Sequence, residues 1–231
     1  MADLKAITAA NAQRWAKART TRDFTLTAKR LVSAKARYQT VASKTGVPWF
    51  IVAVIHEREA SQSWSANIAQ GDPWTEVSVH VPAGRGPFLS WEGAAVDALS
   101  NCAPYAARWT DWSAGGALTL LETYNGTGYA NKGLPSPYIW SGTDQYEKGK
   151  YVSDGKFDPE AIDKQLGCAG LIRTMMVLDP TITFTGLKIT TTTISTAPAK
   201  PSRPSITHPS KGSIGDVIAR LIAAVMSIFK R

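Results

Sequence analysis

From Val47 to Ile55 the chain reads Val-Pro-Trp-Phe-Ile-Val-Ala-Val-Ile, apolar without interruption, and then turns polar at His56-Glu57-Arg58-Glu59. Gly46 and Pro48 mark the start of a helix here, because proline's fixed φ suits a first turn where its missing N–H is not needed. A helix with no polar face before its last turn is predicted to be buried on all sides. Glu59 shares a face with Val52, Ile55 and His56, and Glu57 shares one with Phe50, Ala53 and Val54. A carboxyl desolvated by such neighbours favours its neutral form, and its pKa can climb from about 4.3 toward about 6 or 7. It is then a general acid near neutral pH.

The same periodicities place other elements. Leu4, Ile7 and Ala10, then Leu26, Leu31, Val32 and Tyr38, recur among lysines and arginines and predict helices over 3–18 and 23–44, with Thr21 or Asp23 capping the second. Helices are also predicted over 91–99, 116–123 and 159–178, and the alternation through 77–81 predicts a short β-hairpin. From residue 188 onward threonine, serine and proline dominate, which predicts an extended linker over 188–212. Ile214, Val217, Ile218, Leu221, Ile222, Val225, Ile228 and Phe229 then recur at helical spacing. Residues 213–231 are therefore read as an amphipathic helix, short of the roughly 20 apolar residues a membrane span needs.

Charge divides the 231-residue chain in the same places. The net charge of +8 resolves into +8 over residues 1–44, −6 over 45–187 and +6 over 188–231. A body over 45–187 is thus acidic and carries basic ends. Those ends suit helices packed on the body with a charged outer face, or attraction to polyanions such as peptidoglycan carboxylates, lipopolysaccharide phosphates or an anionic membrane. With no nucleic-acid fold signature and no basic stripe interleaved with aromatics, nucleic acid is not expected as a partner.

The short apolar helix that begins Gly-Val-Pro and ends in glutamate resembles the catalytic helix of goose-type lysozymes and soluble lytic transglycosylases. Thr123-Tyr124-Asn125-Gly126 is similar to the Tyr-Asn segment lining the sugar cleft in that superfamily. The series His56-Glu57-Arg58-Glu59, Gly71-Asp72-Pro73, Val79-His80-Val81-Pro82-Ala83-Gly84 and Tyr124-Asn125-Gly126 resembles phage and bacterial lysozyme-like peptidoglycan hydrolases over roughly residues 40–180. That resemblance implies a mainly α, lysozyme-like α+β domain with a small hairpin, and cleavage of the β-1,4 bond between N-acetylmuramic acid and N-acetylglucosamine. It implies Glu59 as general acid, with Glu57 the alternative.

Glycoside hydrolysis ordinarily engages two carboxylates. Asp72, thirteen residues after Glu59, is the candidate for the second, and equally reads as the cap of a Gly-Asp-Pro turn. Without it, a transglycosylase-like route remains, with substrate assistance and Glu59 as acid and then base. Tyr124 and Asn125 are expected to line the cleft, with Tyr138 and Trp140 as further candidates, since aromatic rings stack on sugar faces. His56 is expected to be a packed neighbour, Asp97 a surface or capping charge. Arg58 is expected in an exposed end-of-helix ion pair with the glutamate that is not the acid.

Cys102 and Cys168 fit either a disulfide or two buried thiols. No cysteine or histidine grouping has metal-ligand spacing, and neither metal nor cofactor is expected. Met1-Ala2-Asp3-Leu4-Lys5 opens an amphipathic stretch rather than an apolar signal. The expectation is synthesis in the cytoplasm and action on the wall after release, as for a phage endolysin. Two other readings stay open: a non-catalytic wall-binding protein, supported by Gly71-Asp72-Pro73-Trp74 standing where relatives carry Gly-Leu-Met-Gln, and a membrane-permeabilising protein acting through residues 214–231.

Overall fold

In a computed structural model, which describes residues 3–153 and 155–185, the chain folds around the apolar helix predicted from sequence. The linker over 188–212 and the amphipathic helix over 213–231 lie outside the described residues. The order is α1 (Leu4–Lys17), α2 (Thr25–Ser33), α3 (Lys35–Thr45), α4 (Trp49–Ala60), α5 (Trp91–Asn101), α6 (Ala114–Asn125), α7 (Pro137–Trp140), β1 (Lys150–Ser153), β2 (Lys156–Asp158) and α8 (Cys168–Leu178). The fold is mainly helical with one small antiparallel sheet of two strands. No helix among the described residues is long and apolar enough to cross a membrane.

Helix α4 is the centre. Phe50 through His56 are all buried, and α2, α3, α6 and α8 pack around it. Pro48 sits one residue ahead of the helix, at its N-cap, and Gly46 closes α3 with a left-handed φ of +74° that glycine adopts without strain. The basic N-terminal residues belong to the same compact unit as the rest: α1 lies against α6, α2 against α8, and α3 against α4 and α5.

Close helix approach is bought with glycines. A Cβ on Gly115 would stand 2.6 Å from the Thr8 carbonyl oxygen, so α1 crosses α6 at a distance only glycine allows. Gly167 does the same for α7, where a Cβ would meet the Ile139 carbonyl oxygen at 2.5 Å. Gly170 in α8 faces the ring of Phe24, which is 2% exposed.

Three predicted elements differ. The helix expected over 23–44 breaks at Ala34 (φ −91°, ψ 9°), because its first part buries Ala28 and Leu31 while its second buries Tyr38 and Val41 against different helices. Asp23 does accept from the Thr25 N–H, at 2.8 Å. No hairpin forms over 77–81: the Asp72 carboxylate takes the Val79 and His80 N–H groups that a ladder would have used. The sheet lies instead at β1 and β2, with Lys150 opposite Asp158 and Tyr151 opposite Phe157.

The helix expected over 159–178 starts only at Cys168. Preceding N–H groups are satisfied elsewhere, Glu160 and Ala161 by the Asp158 carboxylate, Asp163 by the Tyr146 hydroxyl and Gly167 by the Ser141 carbonyl. Helical hydrogen bonds thus gain nothing there. Both cysteines are buried free thiols.

Gly170→Ala tests the α2–α8 contact. Alanine gains roughly 1 kcal/mol of helix propensity, but overpacking against a ring that cannot move outward costs about 1–3 kcal/mol. The variant should unfold at lower urea concentration than the parent; a higher midpoint would contradict the packing described.

Candidate active site

The last turn of α4 leaves the core and distributes its side chains to different neighbours. His56 stays buried, with Nε2 2.9 Å from the Ser63 carbonyl oxygen and Nδ1 2.9 Å from the Tyr38 hydroxyl. A carbonyl only accepts, so Nε2 carries the hydrogen and Nδ1 accepts from Tyr38. The ring packs among Tyr38, Trp64 and Trp91, at centroid distances of 4.5 Å to Trp64 and 4.6 Å to Trp91. Burial pulls its pKa down to about 4, with the Ser63 carbonyl opposing and Arg37 reinforcing. His56 is a neutral structural centre.

Glu57 and Glu59 are both half-buried and both have their pKa raised, first by burial. They differ in what they face. Glu57 Oε2 accepts from Gln62 Nε2 at 2.7 Å, and that amide also reaches the Thr27 carbonyl on α2. Glu59 Oε1 accepts from the Tyr138 hydroxyl of α7 at 2.8 Å. That bond and the Arg58 charge oppose burial without overcoming it. Oε2 of Glu59 has no hydrogen-bond partner among the described residues.

Tyr138 joins Glu59 to a groove of about 420 Å³. Its lining includes Arg58, Asn125, Tyr129, Tyr138, Lys150, Tyr151 and Asp163, so that the ends of α4 and α6, the helix α7 and the strand β1 all converge on it. Tyr138 is 2% exposed, which makes its hydroxyl, not its ring face, the functional part. Asn125 is exposed at the groove. Tyr124 is half-buried beside Glu59, whose charge adds to burial in raising the phenol's pKa, and its hydroxyl ties α6 to the Ile68 carbonyl at 2.9 Å.

Trp140 requires correction. Its side chain is wholly within the core, so it offers no face on which a sugar could stack. Arg58 also departs from expectation: it is buried, pairs with Asp163 at 3.0 Å, donates to the Leu166 carbonyl and lies 4.7 Å over the Tyr138 ring. Asp163, 105 residues away, and Lys150, which pairs with the same carboxylate at 3.1 Å, gave no signal in sequence, because no local pattern announces a partner so distant.

Asp72 is 8% exposed and anchors its own loop, with Oδ2 taking the Val79 and His80 N–H groups and Oδ1 paired with the His80 ring. These bonds hold its pKa below the usual carboxylate range. Its loop does approach Glu59, since a Cβ on Gly71 would touch the Glu59 carbonyl oxygen at 3.5 Å. Asp97 is engaged by Arg85 and Asn101. No grouping of three metal-ligating side chains occurs among the described residues.

Two titrations check this electrostatic picture. His56 should protonate with a midpoint near 4 in a histidine NMR titration. Unfolded chains bind this proton near pH 6.5, so stability from the neutral ring is present above that pH and is lost as pH falls toward 4, by on the order of 3 kcal/mol. A midpoint at 6 or above would refute the buried tautomer. Tyr138→Phe removes the donor that favours ionised Glu59, so the Glu59 carboxyl carbon should titrate at higher pH than in the parent; an unmoved midpoint would dissociate the two residues.

No protein family, curated protein or solved structure matches this chain, and the site therefore stands on its own geometry.

Proposed function

We propose that the protein is a peptidoglycan glycosidase of lysozyme-like fold, cleaving the β-1,4 bond between N-acetylmuramic acid and N-acetylglucosamine with Glu59 as general acid. The observation that carries this reading is a desolvated carboxyl, one oxygen held by the hydroxyl of Tyr138, whose side chain lines the groove. Burial keeps the proton on Glu59 at a pH where a surface carboxylate has lost it. As the glycosidic oxygen departs from the anomeric carbon, it takes that proton, and the Tyr138 hydroxyl stabilises the carboxylate left behind.

The second step is favoured toward substrate assistance. Asp72 spends its lone pairs on Val79 and His80, and Asp163 spends its own on Arg58 and Lys150. These bonds tie both carboxylates down and disfavour either as the group that attacks carbon or activates water. The acetamido oxygen of the sugar then stabilises the anomeric carbon, and Glu59, now ionised, takes the proton from the incoming hydroxyl. When that hydroxyl belongs to the same sugar the product is anhydro, lighter than the hydrolysis product by one water. The lytic setting, with synthesis in the cytoplasm and action on the wall, belongs to the same proposal.

Mass spectrometry of muropeptides released from purified peptidoglycan tests both points. Glu59→Gln should lower release by at least about 10²-fold, whereas Glu57→Gln should stay within a few-fold of the parent. Equal release by the parent and Glu59→Gln would end the assignment. Activity should fall as pH rises through the raised pKa of Glu59, since the protonated form is the competent one.

A further inference from the structure

The groove beside Tyr138 carries more positive charge than its own partners neutralise. Arg58 and Lys150 both line it, and both pair with one carboxylate, Asp163, at 3.0 and 3.1 Å. Asn125, Tyr129, Tyr138 and Tyr151 in the same lining carry no formal charge, and Glu59 is not part of that lining. One formal positive charge is left over.

A second feature points the same way. The Arg58 side chain is only 7% exposed, and its Nη atoms are used by Asp163 and the Leu166 carbonyl. Its Nε–H is buried with no acceptor among the described residues. Buried guanidinium N–H groups are ordinarily paired, so Arg58 keeps donor capacity that its protein neighbours leave unmet. Lys150 is 40% exposed and has donors to spare after its bond to Asp163.

We propose that this groove is a subsite for a carboxylate-bearing substituent of the glycan, held between the Arg58 guanidinium and the Lys150 ammonium. It rests on the glycan-cleft reading of Glu59 and adds what the cleft selects. A monoanionic carboxylate matches the single uncompensated charge, whereas a dianionic phosphate would meet Asp163 with more repulsion than that charge offsets. A strand of peptidoglycan offers two such groups, the lactyl carboxylate of an unsubstituted muramic acid and the carboxylates of a stem peptide.

Calorimetry with the full chain carrying Glu59→Gln, which prevents turnover, separates the possibilities. The ligands are the GlcNAc-MurNAc disaccharide with its free lactyl carboxylate, the lactyl methyl ester of that disaccharide, and the disaccharide-tetrapeptide, whose lactyl group is an amide. The free acid or the tetrapeptide should bind about ten-fold tighter than the ester, as expected for a charge-assisted hydrogen bond. Whichever of the two shows this preference identifies the source of the carboxylate. Adding Lys150→Met should bring the preference close to one, and Lys150→Arg should retain it, which a merely unfolded or distorted groove would not. Equal binding of all three ligands, or a preference that survives Lys150→Met, overturns the subsite. Muropeptide release by the unmodified chain is scored separately: a chain that prefers the acid but releases nothing keeps this subsite and loses the glycosidase reading.

Discussion

A helix that is apolar on every face has one stable solution, which is to be covered on every face. From Phe50 to Ile55 α4 offers no side for water, and α2, α3, α6 and α8 supply the cover. Each buried aliphatic side chain there contributes about 1.5–3 kcal/mol of transfer free energy, far more than any single surface contact. Covering a helix this way leaves its polar end at the point where the covering elements stop. Glu59 is therefore placed by the core, and the neighbouring elements need only shape its surroundings.

Electrostatics at that end of the helix depends on the company Arg58 keeps. A guanidinium next to Glu57 and Glu59 in sequence would, if free, hold both carboxyls ionised. Instead it is directed to Asp163, which lies 4% exposed and whose pKa is kept low chiefly by Arg58 and Lys150 against its own burial. The ion pair blunts the cation, so burial remains the largest influence on Glu59 and its pKa stays raised. Such a pair adds little to stability over an apolar equivalent, yet losing one partner leaves a buried charge at a cost of about 3–5 kcal/mol. Its role is to fix the position of the Tyr138 ring, on which Arg58 lies, and so the hydroxyl that orients Glu59.

What the sequence made legible was whatever local pattern decides. The apolar run of α4, the amphipathic α1 and the helices α5 and α6 follow from spacing; the starts of α1, α5 and α6, which spacing did not give, are fixed by Asp3, Ser90 and Ser113 accepting the first free N–H groups. What it hid was decided by partners far along the chain. The alternating Val77, Val79 and Val81 had the period of a strand but no strand beside them, and the Asp72 carboxylate claimed the backbone instead. Residues 160–167 had helical composition, but Tyr146 and Ser141 offered their N–H groups better-placed acceptors. Trp140 looked like a cleft aromatic because it shares a short segment with Tyr138; two residues further on, about 200° around the axis, it lies within the core.

The same helical geometry separates the two glutamates. At 3.6 residues per turn, positions two apart point about 200° from each other, so Glu57 and Glu59 cannot share surroundings however alike their apolar neighbours read in sequence. Glu57 turns toward α2 and is met by the Gln62 amide, itself held by the Thr27 carbonyl. Glu59 turns toward α7, whose place is set by Pro137 at its start and by Gly167 beneath the Ile139 carbonyl. Burial raises both carboxyls, so desolvation alone does not choose between them. The choice is made by what lies across from each: an amide and a packed helix for one, a phenol at the edge of a groove for the other.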